Sequence, residues 1–279
     1  MLFFYTIMFF SYIFVKDTSF MRFFVHLSFN GTHYHGWQIQ KNARSVQAFL
    51  EDALGRVLRE TVAVTGCGRT DTGVHALDFW AHFNYNGKPF GCEALTYKLN
   101  AILPNDIHIF GIFHVPENLH ARYHAVSRTY RYYIRRNKEP FLEGMSSAPG
   151  TYAATPPDLD LMNQGAALFL GTHDFTSFSK LHTQTVSNTC TVTEARWFTQ
   201  EQEFGMAPLW VFQVTANRFL RNMVRCMVGT LLEVEKGKKP VEWILQLLDG
   251  KNRSLAGFSV PPEGLFLWKV HYDKLIIVN

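Results

Sequence analysis

Two periods of apolar residues run along this 279-residue chain and define most of its elements. Residues 22–29 (RFFVHLSF) have strand composition and lead into a loop with Gly31 and Gly36. Over residues 45–59, Val46, Phe49, Leu50, Ala53, Leu54, Val57 and Leu58 recur at helical spacing, with Ser45 as N-cap. Strands are predicted over 62–65 and 78–85, either side of a glycine-rich loop. Further strands are predicted over 107–115, 127–136, 192–198, 209–215 and 265–272. Helices are predicted from about 158 to 170, from 218 to 235, and from Pro240 at N1 to Asp249 with Gly250 behind it. The second half repeats the first in outline. The pattern therefore predicts an α/β (α+β) fold of two pseudo-repeated lobes, residues 21–120 and 121–279, with a cleft where they meet. Residues 137–157, rich in proline and glycine, read as an irregular insertion.

Composition narrows this picture. An apolar fraction of 47% and aromatic content of 15% exclude a disordered chain. The formal charge is only +4, so a nucleic-acid surface would need locally clustered cations. Cys67, Cys92, Cys190 and Cys226 form no C-x-x-C pair; this fits a reducing compartment and offers neither a zinc site nor a disulfide framework. The apolar run Leu2–Val15 is shorter than the ~20 residues of a spanning helix and lacks the flanks of a secretory signal. Residues 1–20 are expected to be an extension outside the fold, with Met21 reading as an ordinary N-terminus.

Candidate chemistry centres on Gly66-Cys67-Gly68-Arg69-Thr70-Asp71-Thr72-Gly73-Val74-His75-Ala76. Asp71 is the sole acid between Glu60 and Asp78. Glycines 66, 68 and 73 are expected to take positive φ and let a ligand approach. Arg69, folded back onto Asp71, would favour the charged carboxylate, which suits a nucleophile. The bland alternative is an Asp closing a turn with its own backbone. Asp71-Thr72-Gly73 also resembles the aspartic-protease tripeptide, but there two carboxylates share a proton, and an adjacent arginine opposes that sharing. The loop lacks the Gly-Lys-Ser/Thr ending of a phosphate-binding P-loop. The histidines show no metal-ligand spacing, and His75 is expected to shape the loop.

Cations cluster in two places. Arg122, Arg128, Arg131, Arg135, Arg136 and Lys138 face a single acid, Glu117, with tyrosines at 123, 130, 132 and 133 interleaved. Arginines bind phosphates and tyrosine faces stack unpaired bases; an exposed cation-rich strand face is the structural alternative. Arg218, Arg221 and Arg225 are predicted to share one face of the helix after residue 217.

Together these blocks resemble the tRNA pseudouridine synthase A family. The Asp71 loop is similar to its G-R-T-D-x-G-V-H-A signature, and Gly31 through Gln38 to its G-x-x-Y-x-G-W-Q motif. Ser127–Tyr132, Gly171–Phe175, Phe219–Arg225 and Gly264-Leu265 resemble further blocks, in order along the chain. Ala256–Pro261 departs from the family's A-G-x-T-A-P. The resemblance implies two α/β lobes with a continuous mixed, largely antiparallel sheet, a homodimer, and no metal, nucleotide or organic cofactor. It implies a cytoplasmic enzyme, without membrane attachment, that isomerises uridines 38–40 of the tRNA anticodon arm. Asp71 would be the nucleophile and Arg69 its ion-pair partner. Tyr130 would stack on the target uracil, Arg225 would be the basic active-site residue, and Leu265 an apolar wall. Arg122, Arg128, Arg131, Arg218 and Arg221 are expected to contact the RNA.

Overall fold

A computed structural model describes residues 20–148, 156–180, 187–203 and 206–273. The extension expected over 1–20 lies, apart from Phe20, outside these residues, as does part of the 137–157 segment. In chain order the elements are β1 (Met21–Phe29), α1 (Val46–Leu58), β2 (Val64–Gly66), β3 (His75–Tyr85), α2 (Cys92–Ile102), β4 (Ile107–Val115) and β5 (Ala125–Ile134). Then follow α3 (Leu159–Ala167), β6 (Gly171–Asp174), β7 (Thr189–Gln200), β8 (Leu209–Ala216), α4 (Met223–Glu235), α5 (Trp243–Gly250) and β9 (Leu265–Tyr272). None of the described helices is long and apolar enough to cross a membrane.

The strands form one open, mixed sheet in the order β4-β1-β3-β9-β5-β8-β7-β6, with β2 paired to β3. Every pairing is antiparallel except β3 with β9, where His75 lies opposite Phe266 and Ala76 opposite Leu267. This short parallel seam is where the two halves of the chain meet. It brings the loop before β3 beside the last strand. One buried core gathers β1, β3, β4, α1 and α2, and a second gathers β5, β7, β8, α3, α4 and α5. Leu267 and Val270 from β9 join the first core, and Val74 from the Asp71 loop joins the second. The exchange ties the loop to both.

Three expectations need correction. Helix α2 and strand β6 went unforeseen. The buried stripe of α2 is only Leu95 and Leu99, while Tyr97 and Ile102 are exposed, so its periodicity is weak. Helix α4 begins at Met223, five residues later than predicted. Asn222 sits in the left-handed region at φ 69°, and the Arg221 carbonyl accepts the Lys180 N–H instead of a helical bond. Arg218 and Arg221 therefore belong to a loop and do not share a helix face with Arg225. Helix α5 likewise begins at Trp243; Pro240 forms the turn before it, its carbonyl accepting the Trp243 N–H.

Candidate active site

The Asp71 loop is held by close backbone packing. A Cβ at Gly31 would lie 2.0 Å from the Val74 carbonyl oxygen, and one at Gly36, where φ is 84°, would lie 2.2 Å from that of Thr70. Only glycine fits either position. The Gly73 N–H donates to the Tyr34 carbonyl at 3.1 Å, and the Val74 N–H to that of Asp71 at 3.1 Å. Of the three loop glycines, Gly73 alone takes positive φ, at 76°. His75 closes the loop from below. Its Nδ1 accepts the Gly31 N–H at 3.1 Å, and its Nε2 lies 3.1 Å from the Glu263 carbonyl as donor. Burial lowers its pKa, so the ring stays neutral as a tether between three segments.

The ion-pair partner of Asp71 is Arg221, not Arg69. Arg221 Nε donates to Asp71 Oδ1 at 3.2 Å, across 150 residues of chain. The Asp71 side chain is 23% exposed and that of Arg221 57% exposed, so the pair sits at a mouth open to solvent. Arg69 is exposed and forms no hydrogen bond or ion pair among the described residues.

Tyr130 on β5 and Phe219 from the loop before α4 pack edge to face, with ring centroids 4.9 Å apart. Burial raises the Tyr130 phenol well above its usual pKa, and the nearby Cys67 and Asp71 push in the same direction. At neutral pH it is a protonated donor. Leu265, the first residue of β9, is buried opposite Tyr132 of β5 and contributes to the second core. Arg225, in the first turn of α4, donates from Nε to the Val260 carbonyl at 2.7 Å, while its own carbonyl accepts the Val260 N–H at 3.2 Å.

The expected RNA-facing arginines separate. Arg122 is exposed beside Tyr123, whose ring also stacks on His120. Arg218 is half-buried near Cys190. Arg128 is occupied by main-chain carbonyls of this protein. Arg131 points to the other face of β5, where Nε donates to Gln213 at 2.7 Å and the guanidinium lies 3.8 Å over the Trp268 ring. Side chains alternate along a strand, so Arg131 and Tyr130 cannot share a face. An open basin of about 640 Å³, lined by residues that include His26, Trp80, Phe110 and Trp268, contains none of the residues predicted for the site.

Residues 166–273 match the family model described as tRNA pseudouridine synthase, which places the second half of the chain in that class of isomerases. The whole chain goes further. It is 45% identical to a tRNA pseudouridine synthase A of Bacteroides fragilis over 92% of this chain and 99% of the relative. It is 46% identical to that of Porphyromonas gingivalis over 91% and 98%, and 36% identical to one from Staphylococcus aureus over 91% and 93%. The chain belongs to the tRNA pseudouridine synthase A family.

Arg221 as the partner of Asp71 and Phe219 as the neighbour of Tyr130 were absent from the sequence reading. Both lie in the Phe219–Arg225 block, so the block was visible and the roles within it were not. A hydrophobic residue beside a basic one at a helix entrance carries no signal of which loop it will meet.

Proposed function

We propose that the protein converts uridine to pseudouridine at positions 38, 39 and 40 of the tRNA anticodon arm, with Asp71 as nucleophile. The observation that carries this reading is the Asp71 carboxylate on a glycine-tightened loop, paired at 3.2 Å with a cation from the other half of the chain and near the half-buried Tyr130. The reaction breaks the N1–C1′ bond, turns the base and joins C5 to C1′. Attack of the carboxylate at C1′, removal of the C2′ proton to give a glycal, and attack at uracil C6 each use one ionised carboxylate. Glycoside hydrolysis generally uses two. Among the described residues the hydrogen-bonding and ionic partner of the Asp71 carboxylate is Arg221, which suits an isomerase.

The base must leave its stack, at a cost of a few kcal/mol. A tyrosine face offsets about 1–3 kcal/mol of that. The protonated Tyr130 takes part as a stacking surface and hydrogen-bond donor, with Phe219 fixing its ring and Leu265 supplying apolar wall. Arg221 orients Asp71 in the free enzyme. Arg69, Arg122 and Arg218 hold the RNA backbone, and Arg225 faces the same substrate. On this reading the enzyme is a cytoplasmic homodimer and needs no metal or organic cofactor; its free cysteines suit a reducing compartment.

Pseudouridine mapping on tRNA treated with wild type and with Asp71→Asn tests the proposal. Pseudouridine confined to the anticodon arm, formed by wild type and lost by more than about a thousandfold in the variant, is the expected result. Activity surviving in the variant would move the chemistry away from Asp71.

A further inference from the structure

The guanidinium of Arg128 is surrounded by main-chain carbonyls. One terminal nitrogen donates to Ala125 at 2.8 Å and to Asn217 at 3.0 Å. The other donates to Cys67 at 3.0 Å and to Arg122 at 2.8 Å. Three separate segments thus converge on one side chain: the turn before β5, the exit from β8, and the entry to the Asp71 loop. Cys67 stands four residues before Asp71, and Asn217 four before Arg221. Each member of the Asp71–Arg221 ion pair therefore extends from a carbonyl that Arg128 grips.

The gripped residues are also fixed from their other sides. The Cys67 N–H donates to Trp80 at 2.7 Å. The Asn217 N–H donates to the Thr191 carbonyl at 3.1 Å, and its side-chain oxygen accepts the Thr191 N–H at 2.9 Å. Arg128 and Tyr130 are two residues apart on β5 and so share a face of the strand. One strand thereby carries both the ring beside the site and the clamp that spaces the two loops. A planar guanidinium can serve four carbonyls in fixed directions; a lysine ammonium presents three donors from a point and cannot.

We infer that Arg128 is a positioning residue for the reaction: it sets the Asp71 loop and the Arg221 loop in register against Tyr130, and it does not bind RNA phosphate. The inference rests on the reading of Asp71 as nucleophile.

The test compares Arg128→Lys, which keeps the charge and loses the fork, with wild type. Single-turnover rate, tRNA affinity and the salt dependence of that affinity are measured together, with thermal unfolding followed to confirm folding. The expected result is a rate lowered roughly ten- to hundredfold, because a misplacement of ~1 Å has that effect. Affinity and salt slope should stay at wild-type values. In Arg128→Gln, which removes the charge, weakened affinity with a salt slope shallower by about one and an unchanged rate would make Arg128 a phosphate contact and overturn the inference. Asn217→Ala provides a further variant, since it leaves Arg128 intact and removes the side-chain anchor to Thr191. It should lower the rate in the same way, and a wild-type rate in any of these folded variants also overturns the inference. Asp71→Asn separates the two readings. Activity in Asp71→Asn removes the nucleophile assignment itself. An inactive Asp71→Asn beside a fully active Arg128→Lys removes only the positioning role.

Discussion

His82 is nearly fully buried on β3, and its Nδ1 accepts the Ala121 N–H at 3.2 Å. Burial, followed by the neighbouring His120 and Arg22, lowers its pKa from 6.5 to about 4. The His120 ring lies 4.5 Å away and is itself lowered, first by burial and then by Arg22, His124 and Arg122. The folded pKa is depressed, so the unfolded chain takes up protons first as pH falls. Stability contributed by His82 is complete above pH 6.5 and declines progressively toward pH 4. The loss approaches about 3 kcal/mol for this one ring. Urea unfolding at about pH 7.5 and about pH 5 should show a marked drop for wild type and a smaller one for His82→Asn, whose amide oxygen replaces Nδ1 as acceptor. Equal drops would place the acid sensitivity elsewhere. At this scale the sequence singled out Asp71 and Tyr130 as candidates by their motifs, but gave no hint that His82 is buried, because a histidine in a strand is equally at home on either face.

Among the elements, α2 and α3 use the same device on the two ends of the sheet. Asn100 of α2 donates to the Ile109 carbonyl and accepts the Ile109 N–H, both at 2.8 Å. Asn163 of α3 donates to the Trp197 carbonyl at 3.1 Å and accepts its N–H at 2.7 Å. Ile109 lies on the edge strand β4, and Trp197 on the part of β7 that extends past its pairing with β6. Each amide satisfies strand groups that would otherwise form an open edge. Replacing either asparagine by alanine should destabilise the protein by about 1–3 kcal/mol, the cost of stranding a backbone pair. The sites are at opposite ends of the sheet, so the double variant should equal their sum within about 0.5 kcal/mol, read from urea midpoints. An unchanged midpoint in either single variant would show that water replaces the amide without loss. The long amphipathic helix α1 was readable from its periodicity and its Ser45 cap, whose hydroxyl accepts the Ala48 N–H. Helix α2 was not readable, since a single pair of buried leucines does not make a stripe, and the pairing through Asn100 is tertiary.

Across the whole molecule, the net charge of +4 gives little general attraction to RNA. Affinity for tRNA should therefore depend on a few local arginines and fall steeply with salt. Removing one phosphate contact with Arg122→Ala is expected to weaken binding and make the slope of log affinity against log salt shallower by about one. Filter binding across a salt series checks this. An unchanged slope would remove Arg122 from the RNA surface. The sequence by itself determined the α+β class, the order of most strands and helices, and the loop that holds Asp71, because periodicity and glycine placement are local properties of the chain. Only the tertiary structure decided which groups meet. The partner of Asp71 comes from 150 residues away, the helix expected to display Arg221 gives way to a loop, and Arg128, one of the arginines expected to contact RNA, closes on four carbonyls inside the protein. The physical reason is that a charged side chain takes the partner the fold presents, and the parallel seam between β3 and β9 presents one half of the chain to the other.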